Sequence, residues 1–284
     1  MRKRANSRKN LVATAALAVV SLLAGAGCAG AGDAAAAHAA QGAAQQQGNE
    51  WRWRGSLSAG RAIEVKGVNG GIEAEPSSGG EVEVIAVKSA RKSNPDDVRI
   101  EVIEHAEGVT VCAVYPTRDG DKPNVCAPGS GGRMSTRNND VSVHFRVRVP
   151  AGVRFEGRTV NGEVKAEGLS ADVVATTVNG SVRVKTTGLA RAQTVNGSIR
   201  AWMGRADWSN ELEFQTVNGT IDLSFPASLS ADVHAETVNG EITSDFPLTV
   251  TGRFSKRRLD GTIGGGGREL RLQTVNGSVQ IRRG

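Results

Sequence analysis

Beyond residue 50 the chain alternates apolar and polar positions in short runs. Ala62-Ile63-Glu64-Val65-Lys66, Gly71-Ile72-Glu73-Ala74 and Glu81-Val82-Glu83-Val84-Ile85-Ala86-Val87 follow a period of two. Val98-Arg99-Ile100-Glu101-Val102 and the run from Val141 to Val149 do the same, and most apolar positions are β-branched. That period sends alternate side chains to opposite faces of a strand, one face buried and one wet. No segment past the N-terminal 27 residues carries a helical period of useful length. The expected fold class is all-β.

From residue 153 the alternation becomes regular. In Thr177-Val178-Asn179-Gly180-Ser181-Val182-Arg183-Val184 a turn tripeptide leads into a short strand. Val-Asn-Gly occurs seven times, at Asn69, Asn161, Asn179, Asn196, Asn218, Asn239 and Asn276, and Thr precedes the last six. Successive asparagines among those six are 18, 17, 22, 21 and 37 residues apart. The last gap holds Leu259-Asp260-Gly261-Thr262-Ile263, which reads as a decayed copy dividing it into 21 and 16. A period near 20 with two strands and two turns fits one coil of a β-solenoid. Stacking would align the asparagines in a column whose amides bond between coils, around a narrow Val/Ile core. A content of 4% aromatic residues suits such a core. Asn-Gly accepts positive φ at both positions, so it is expected to make each corner at little steric cost. The same dipeptide also marks two-residue hairpins, so an antiparallel meander or sandwich is the competing layout.

Composition divides the chain into four parts. Residues 1–27 carry Arg2, Lys3, Arg4, Arg8 and Lys9, then an uncharged apolar run over 11–26. This is the pattern of a secretory signal, too short for a spanning helix of roughly 20 residues. Residues 28–50 are Ala-, Gly- and Gln-rich and read as a disordered tether. Residues 51–150 form an irregular β part with a Gly/Pro-rich loop over 119–140. Residues 151–284 hold the regular repeats and continue from it.

Two processing sites compete: Leu22-Leu23-Ala24-Gly25-Ala26-Gly27-Cys28, which would lipidate Cys28, and Ala37-His38-Ala39, which suits ordinary cleavage. Removing residues 1–27 leaves 30 basic against 29 acidic residues. The +6 of the whole chain is therefore mostly its export signal, and no nucleic-acid partner is expected. Cys112 and Cys126 remain as a pair in an oxidising compartment, and a disulfide closing that 15-residue segment would stabilise by about 3 kcal/mol. No second Cys or His stands at ligand spacing, so neither a metal nor a cofactor is expected. The four histidines are scattered singly. Eight basic residues over 253–284 face only Asp260 and Glu269. They read as a solvated, charged end that blocks edge pairing, or as a contact for anionic envelope polymer.

The strand-rich start, the hinge Val149-Pro150-Ala151-Gly152-Val153 and the serial Thr-Val-Asn-Gly-x-Val/Ile units resemble the bacterial DUF4097 family of adhesin-like β-repeat proteins, over about residues 51–284. The resemblance implies an envelope-located β-solenoid and brings no binding residue with it.

An enzyme acting on polysaccharide would need clustered acids on neighbouring coils. Asp172, Asp222, Asp232, Glu163 and Glu241 are the candidates. Asp172 and Asp232 recur in the phrase Leu-Ser-Ala-Asp-Val, and Glu163 and Glu241 fill a slot that elsewhere holds Ser or Thr. Repetition of this kind marks turn and solvent-facing residues. No nucleophile elbow, phosphate loop or zinc motif is present, so no catalytic residue is assigned. Trp202 and Trp208 interrupt the repeat and are candidate glycan contacts, with packing over the coil stack as the alternative. The expected protein is a non-enzymatic, lipid-anchored adhesin or envelope scaffold. Its expected partners are the membrane, surface polysaccharide or another envelope protein. A polysaccharide-active enzyme and a periplasmic sensory partner are the rivals.

Overall fold

The computed structural model describes residues 42–117 and 120–284, apart from the side chains of 251–254. In chain order the first strands are β1 (Gly42–Gln47), β2 (Glu50–Ser56), β3 (Ala62–Lys66), β4 (Ile72–Pro76), β5 (Glu81–Ser89), β6 (Arg99–His105), β7 (Gly108–Val114) and β8 (Ser142–Val149). The repeats supply β9 (Arg154–Arg158), β10 (Val164–Leu169), β11 (Val173–Thr176), β12 (Val182–Thr186), β13 (Ala190–Gln193), β14 (Ile199–Met203), β15 (Leu212–Gln215) and β16 (Ile221–Phe225). The chain closes with β17 (Ala231–Glu236), β18 (Ile242–Ser244), β19 (Leu248–Ser255), β20 (Arg258–Ile263), β21 (Glu269–Gln273) and β22 (Val279–Arg283).

These strands form two 11-stranded sheets. Seven coils each give one strand to each sheet. In stacking order they are β3–β4, β9–β10, β11–β12, β13–β14, β15–β16, β21–β22 and β17–β18. Every pairing between coils is parallel, as between β10 and β12 or β11 and β13. The arrangement is a β-solenoid, and a meander of hairpins is excluded. Antiparallel strands occur at the two ends: β1, β2, β5 and β8 on one sheet, β6 with β7 and β17–β20–β19 on the other. The first coil, β3–β4, lies inside the part that composition marked as irregular.

The core runs between the sheets. Ile72, Val164, Val182, Ile199, Ile221 and Val279 are in register on one side. Phe155, Val173 and Ala190 face them from the other sheet, and all are buried. Val, Ile and Ala dominate this narrow core, with Phe155, Phe214 and Phe225 buried among them.

The asparagines form one column. Nδ2 of Asn161, Asn179, Asn196, Asn218 and Asn276 each donates to Oδ1 of the preceding rung at 2.7–2.9 Å, and Asn239 donates to Asn276 at 2.7 Å. A second ladder explains the threonine before each later corner. Oγ1 of Thr159, Thr177, Thr194, Thr216, Thr274 and Thr237 donates to the corner glycine carbonyl one rung back, at 2.7–3.0 Å. In the first coil no corner precedes, and Gly67 stands where the others have Thr.

Four expectations are corrected. None of the seven asparagines has positive φ, and among the corner glycines only Gly70 and Gly277 do (116° and 158°). Glycine is needed elsewhere because a Cβ on Gly180 or Gly197 would overlap the glycine carbonyl of the adjacent rung. Five of the seven corner valines do not join the core: Val178, Val195, Val217, Val238 and Val275 are 36–50% exposed, because the bend turns Thr inward and Val outward, while Val68 is buried and Val160 half-buried. The phrase Leu259-Asp260-Gly261-Thr262-Ile263 is no coil but lies in β20, antiparallel to β17 and β19. The last part of the expected tether forms β1, whose Gly42 lies against the Trp53 indole and lets its backbone pair with β2 without burying a side chain.

Candidate functional site

Outward positions of the sheet that contains β10 form columns along the stack. One column runs Glu73, Lys165, Arg183, Arg200, Asp222, Gln280, Thr243 in direct register. The next runs Glu167, Lys185, Trp202, Ser224, Arg282. Successive rungs stand about 4.8 Å apart. Lys165, Arg183 and Arg200 are thus like charges on three adjacent strands, an arrangement that costs stability. Acids sit only at the rim. Lys165 is 3.5 Å from Glu167, and Arg200 is 3.5 Å from Asp222, which also binds Arg282 at 2.8 Å. Among the described residues, Arg183 and Lys185 make no ion pair within 4.0 Å, while both are exposed. Trp202, 37% exposed, stands in register with Lys185 and two residues from Arg200 on the same face. An open groove of about 490 Å³, lined by Glu73, His144, Arg146 and Lys165 among others, adjoins this block.

Several basic clusters elsewhere are offset by acids. Toward the N-terminal end of the same sheet, Arg52, Arg54 and Arg148 converge on Glu83 at 2.7–3.1 Å. Burial pushes the Glu83 carboxyl up, but the hydrogen bond from Arg54 and the three guanidinium charges outweigh it and hold it below the usual range. On the other sheet Glu213 faces Arg271, and Asp260 holds His234 at 3.1 Å and Arg258 at 2.9 Å. Four of the basic C-terminal residues are paired too: Lys256 with Glu241, Arg258 with Asp260, Arg271 with Glu211 and Arg282 with Asp222. Arg283 lies over the Phe246 ring.

The two candidate tryptophans are separated. Trp208 is buried, 6.0 Å from Phe225 between ring centroids, and its Nε1 donates to the Glu269 carbonyl at 3.0 Å. It packs over the coil stack, and only Trp202 is free to meet a ligand. Cys112 and Cys126 are disulfide-bonded, with Cα atoms 5.8 Å apart. The loop that follows Cys126 is held by the Lys66 ammonium, which donates to the carbonyls of Ala127, Gly129 and Gly131. Burial of Lys66 lowers its pKa. Buried Glu64 accepts from Thr110, the Gly129 N–H and Arg158 at 2.8–3.0 Å. The asparagine column is a structural ladder. The expected export signal, Cys28 and Ala39 lie outside the described residues.

Most acids weighed for catalysis serve the frame. Asp172 accepts from the Leu189 N–H at 2.9 Å, and Asp232 accepts from Thr262 and the Gly267 N–H. Among the described residues no group of three His, Cys, Asp or Glu is placed to hold a metal.

Residues 63–282 match the Toastrack family, DUF4097. The chain belongs to this family. Two solved structures are similar to it. A "putative cell adhesion protein" from Clostridium sporogenes is 9% identical, with TM-score 0.45, covering 86% of this chain and 100% of its own. A "putative adhesin" from Bacteroides fragilis is 12% identical, with TM-score 0.35, covering 82% and 96%. No curated protein matches the sequence.

In this Toastrack chain the corner motif carries no sign of the basic block, because the block lies outside the corner. The signal lies three residues past each corner glycine: Lys165, Arg183 and Arg200 occupy that slot in three successive repeats, before Asp222.

Proposed function

We propose that this protein is exported, anchored in the cell envelope through a lipid on Cys28, and acts without catalysis as an adhesin or envelope scaffold. The observation that carries this reading is the double ladder of asparagine amides and threonine hydroxyls. It joins all seven coils into a stiff rack that holds outward side chains at a fixed spacing. A stiff surface of this kind suits presentation and contact, with recognition spread over rungs rather than gathered in a deep pocket. Asp172 and Asp232 are instead bound to backbone N–H groups and Asp222 to two arginines, which favours the non-enzymatic reading. The test is fractionation of source cells that express the full chain or its Cys28→Ser variant, followed by adhesion of those cells to host or abiotic surfaces. Membrane retention that depends on Cys28, with adhesion lost when the chain is deleted, is the expected result. A soluble cytoplasmic parent chain would overturn the reading.

A further inference from the structure

Resting on that reading, we propose that the block formed by Lys165, Arg183, Lys185, Arg200 and Trp202 binds a linear acidic polysaccharide. Three basic side chains in direct register repel one another, and Arg183 and Lys185 have no acid within ion-pairing distance among the described residues. By contrast, Arg52, Arg54 and Arg148 converge on Glu83, and Lys256, Arg258, Arg271 and Arg282 each have a carboxylate partner. A polyanion lying across the rungs would relieve that repulsion. Arg183 and Arg200 offer planar forks suited to carboxylates. Trp202 offers an apolar surface beside them, against which the C–H face of a sugar ring packs.

The shape of the block selects a polymer over a small molecule. The residues lie on an open sheet face, spread over three rungs and roughly 10 Å along the stack, with Glu73 and Glu167 bounding one side and Asp222 the other. Nucleic acid fits less well. The chain without residues 1–27 has 30 basic and 29 acidic residues, so it lacks an extended positive field, and single-stranded binders stack bases on several aromatics rather than one. A membrane surface fits less well, since Trp202 is the sole large apolar group in the block.

The test uses the full-length chain in detergent, titrated with polygalacturonate and alginate, with dextran, single-stranded DNA and anionic phospholipid vesicles as comparisons. Both uronate polymers should bind, more weakly as salt rises, while dextran should not. The double variant Arg183→Glu, Lys185→Glu should lose about tenfold or more in affinity, as expected for two charge-assisted contacts. Trp202→Ala should lose affinity and quench the fluorescence response to polymer. Arg183→Glu alone should melt no lower than the parent, because it places an acid between Lys165 and Arg200. That readout separates lost binding from lost folding. Absence of uronate binding, unchanged affinity in the double variant, or equal preference for DNA or vesicles would overturn the proposal. Such a result beside normal Cys28-dependent location and adhesion would remove this site alone. Cytoplasmic location beside intact uronate binding would remove the envelope reading alone.

Discussion

Asn276 donates from Nδ2 to Oδ1 of Asn218, 58 residues earlier, at 2.7 Å. The last coil of the chain is therefore seated on the fifth, with the coil of Asn239 outside it. The chain first makes β17–β18 with one rung left open, turns back through β19 and β20, and fills the gap with β21 and β22. Both neighbours depend on the filler: the Thr216 N–H bonds the Gln273 carbonyl, and the Val279 N–H bonds the Glu241 carbonyl, each at 2.9 Å. A chain ended after Gly267 should keep slow amide exchange in β9 to β14 and lose it from β17 to β20. Hydrogen exchange with mass spectrometry checks this. Uniform loss of protection would mean that the solenoid folds as one cooperative unit, against the near-neighbour behaviour expected of repeats.

Much of this fold is legible in the sequence, and the reasons are local. Alternation and the recurring corner define the strands, the coil length and the asparagine column. The order of coils is not legible, because every corner after the first presents the same asparagine, threonine and glycine. Nothing in Thr274-Val275-Asn276-Gly277 states which rung it will meet. The role of Trp202 against Trp208 was partly legible: alternation from Ile199 puts Ala201 and Met203 inside and Trp202 outside. Trp208 lies past the strand, where alternation has no reach.

The threonine ladder predicts a shape-conserving effect. Thr194 is buried and donates to the Gly180 carbonyl at 2.9 Å. Thr194→Val keeps the volume and leaves that carbonyl without the hydroxyl, which should cost about 1–2 kcal/mol. Thr194→Ser should retain the bond and lose only a methyl contact. Chemical denaturation of the three proteins gives the ranking, and a Val variant as stable as the parent would show that the hydroxyl adds nothing.

Acid sensitivity has a local source at Asp140. Its carboxylate accepts from the N–H of Ser93 at 2.8 Å, Lys92 at 3.0 Å and Arg91 at 3.2 Å, pinning that turn to the start of β8. These bonds, that of Ser93 foremost, lower its pKa from 3.8 to about 2. The unfolded chain thus takes up this proton first as pH falls. The stabilisation is complete above the unfolded value, declines from about pH 4 and is lost below about pH 2. Asp140→Asn should remove this share of the acid limb, so the stability difference between parent and variant should shrink as pH falls through that window. A pH-independent difference would assign acid sensitivity to other carboxylates, such as Glu83.

The asparagine ladder makes a prediction that only a chain of donors satisfies. Asn196 accepts from Asn218 at 2.7 Å and donates to Asn179 at 2.8 Å. Asn196→Asp is isosteric, but an ionised carboxylate has no proton to give. It would still accept from Asn218 while facing the Oδ1 of Asn179 with a second acceptor. At neutral pH the variant should be less stable than the parent by about 1–2 kcal/mol. Repulsion from the neighbouring oxygen should raise the folded-state pKa of the new carboxyl above the unfolded value near 3.9. By linkage, the deficit present at neutral pH should then shrink as pH falls through that raised value, because the protonated acid regains a donor. Thermal melts of parent and variant between pH 3 and pH 7 check the sign. A deficit that stays constant or grows on acidification would show that the column holds by backbone pairing alone.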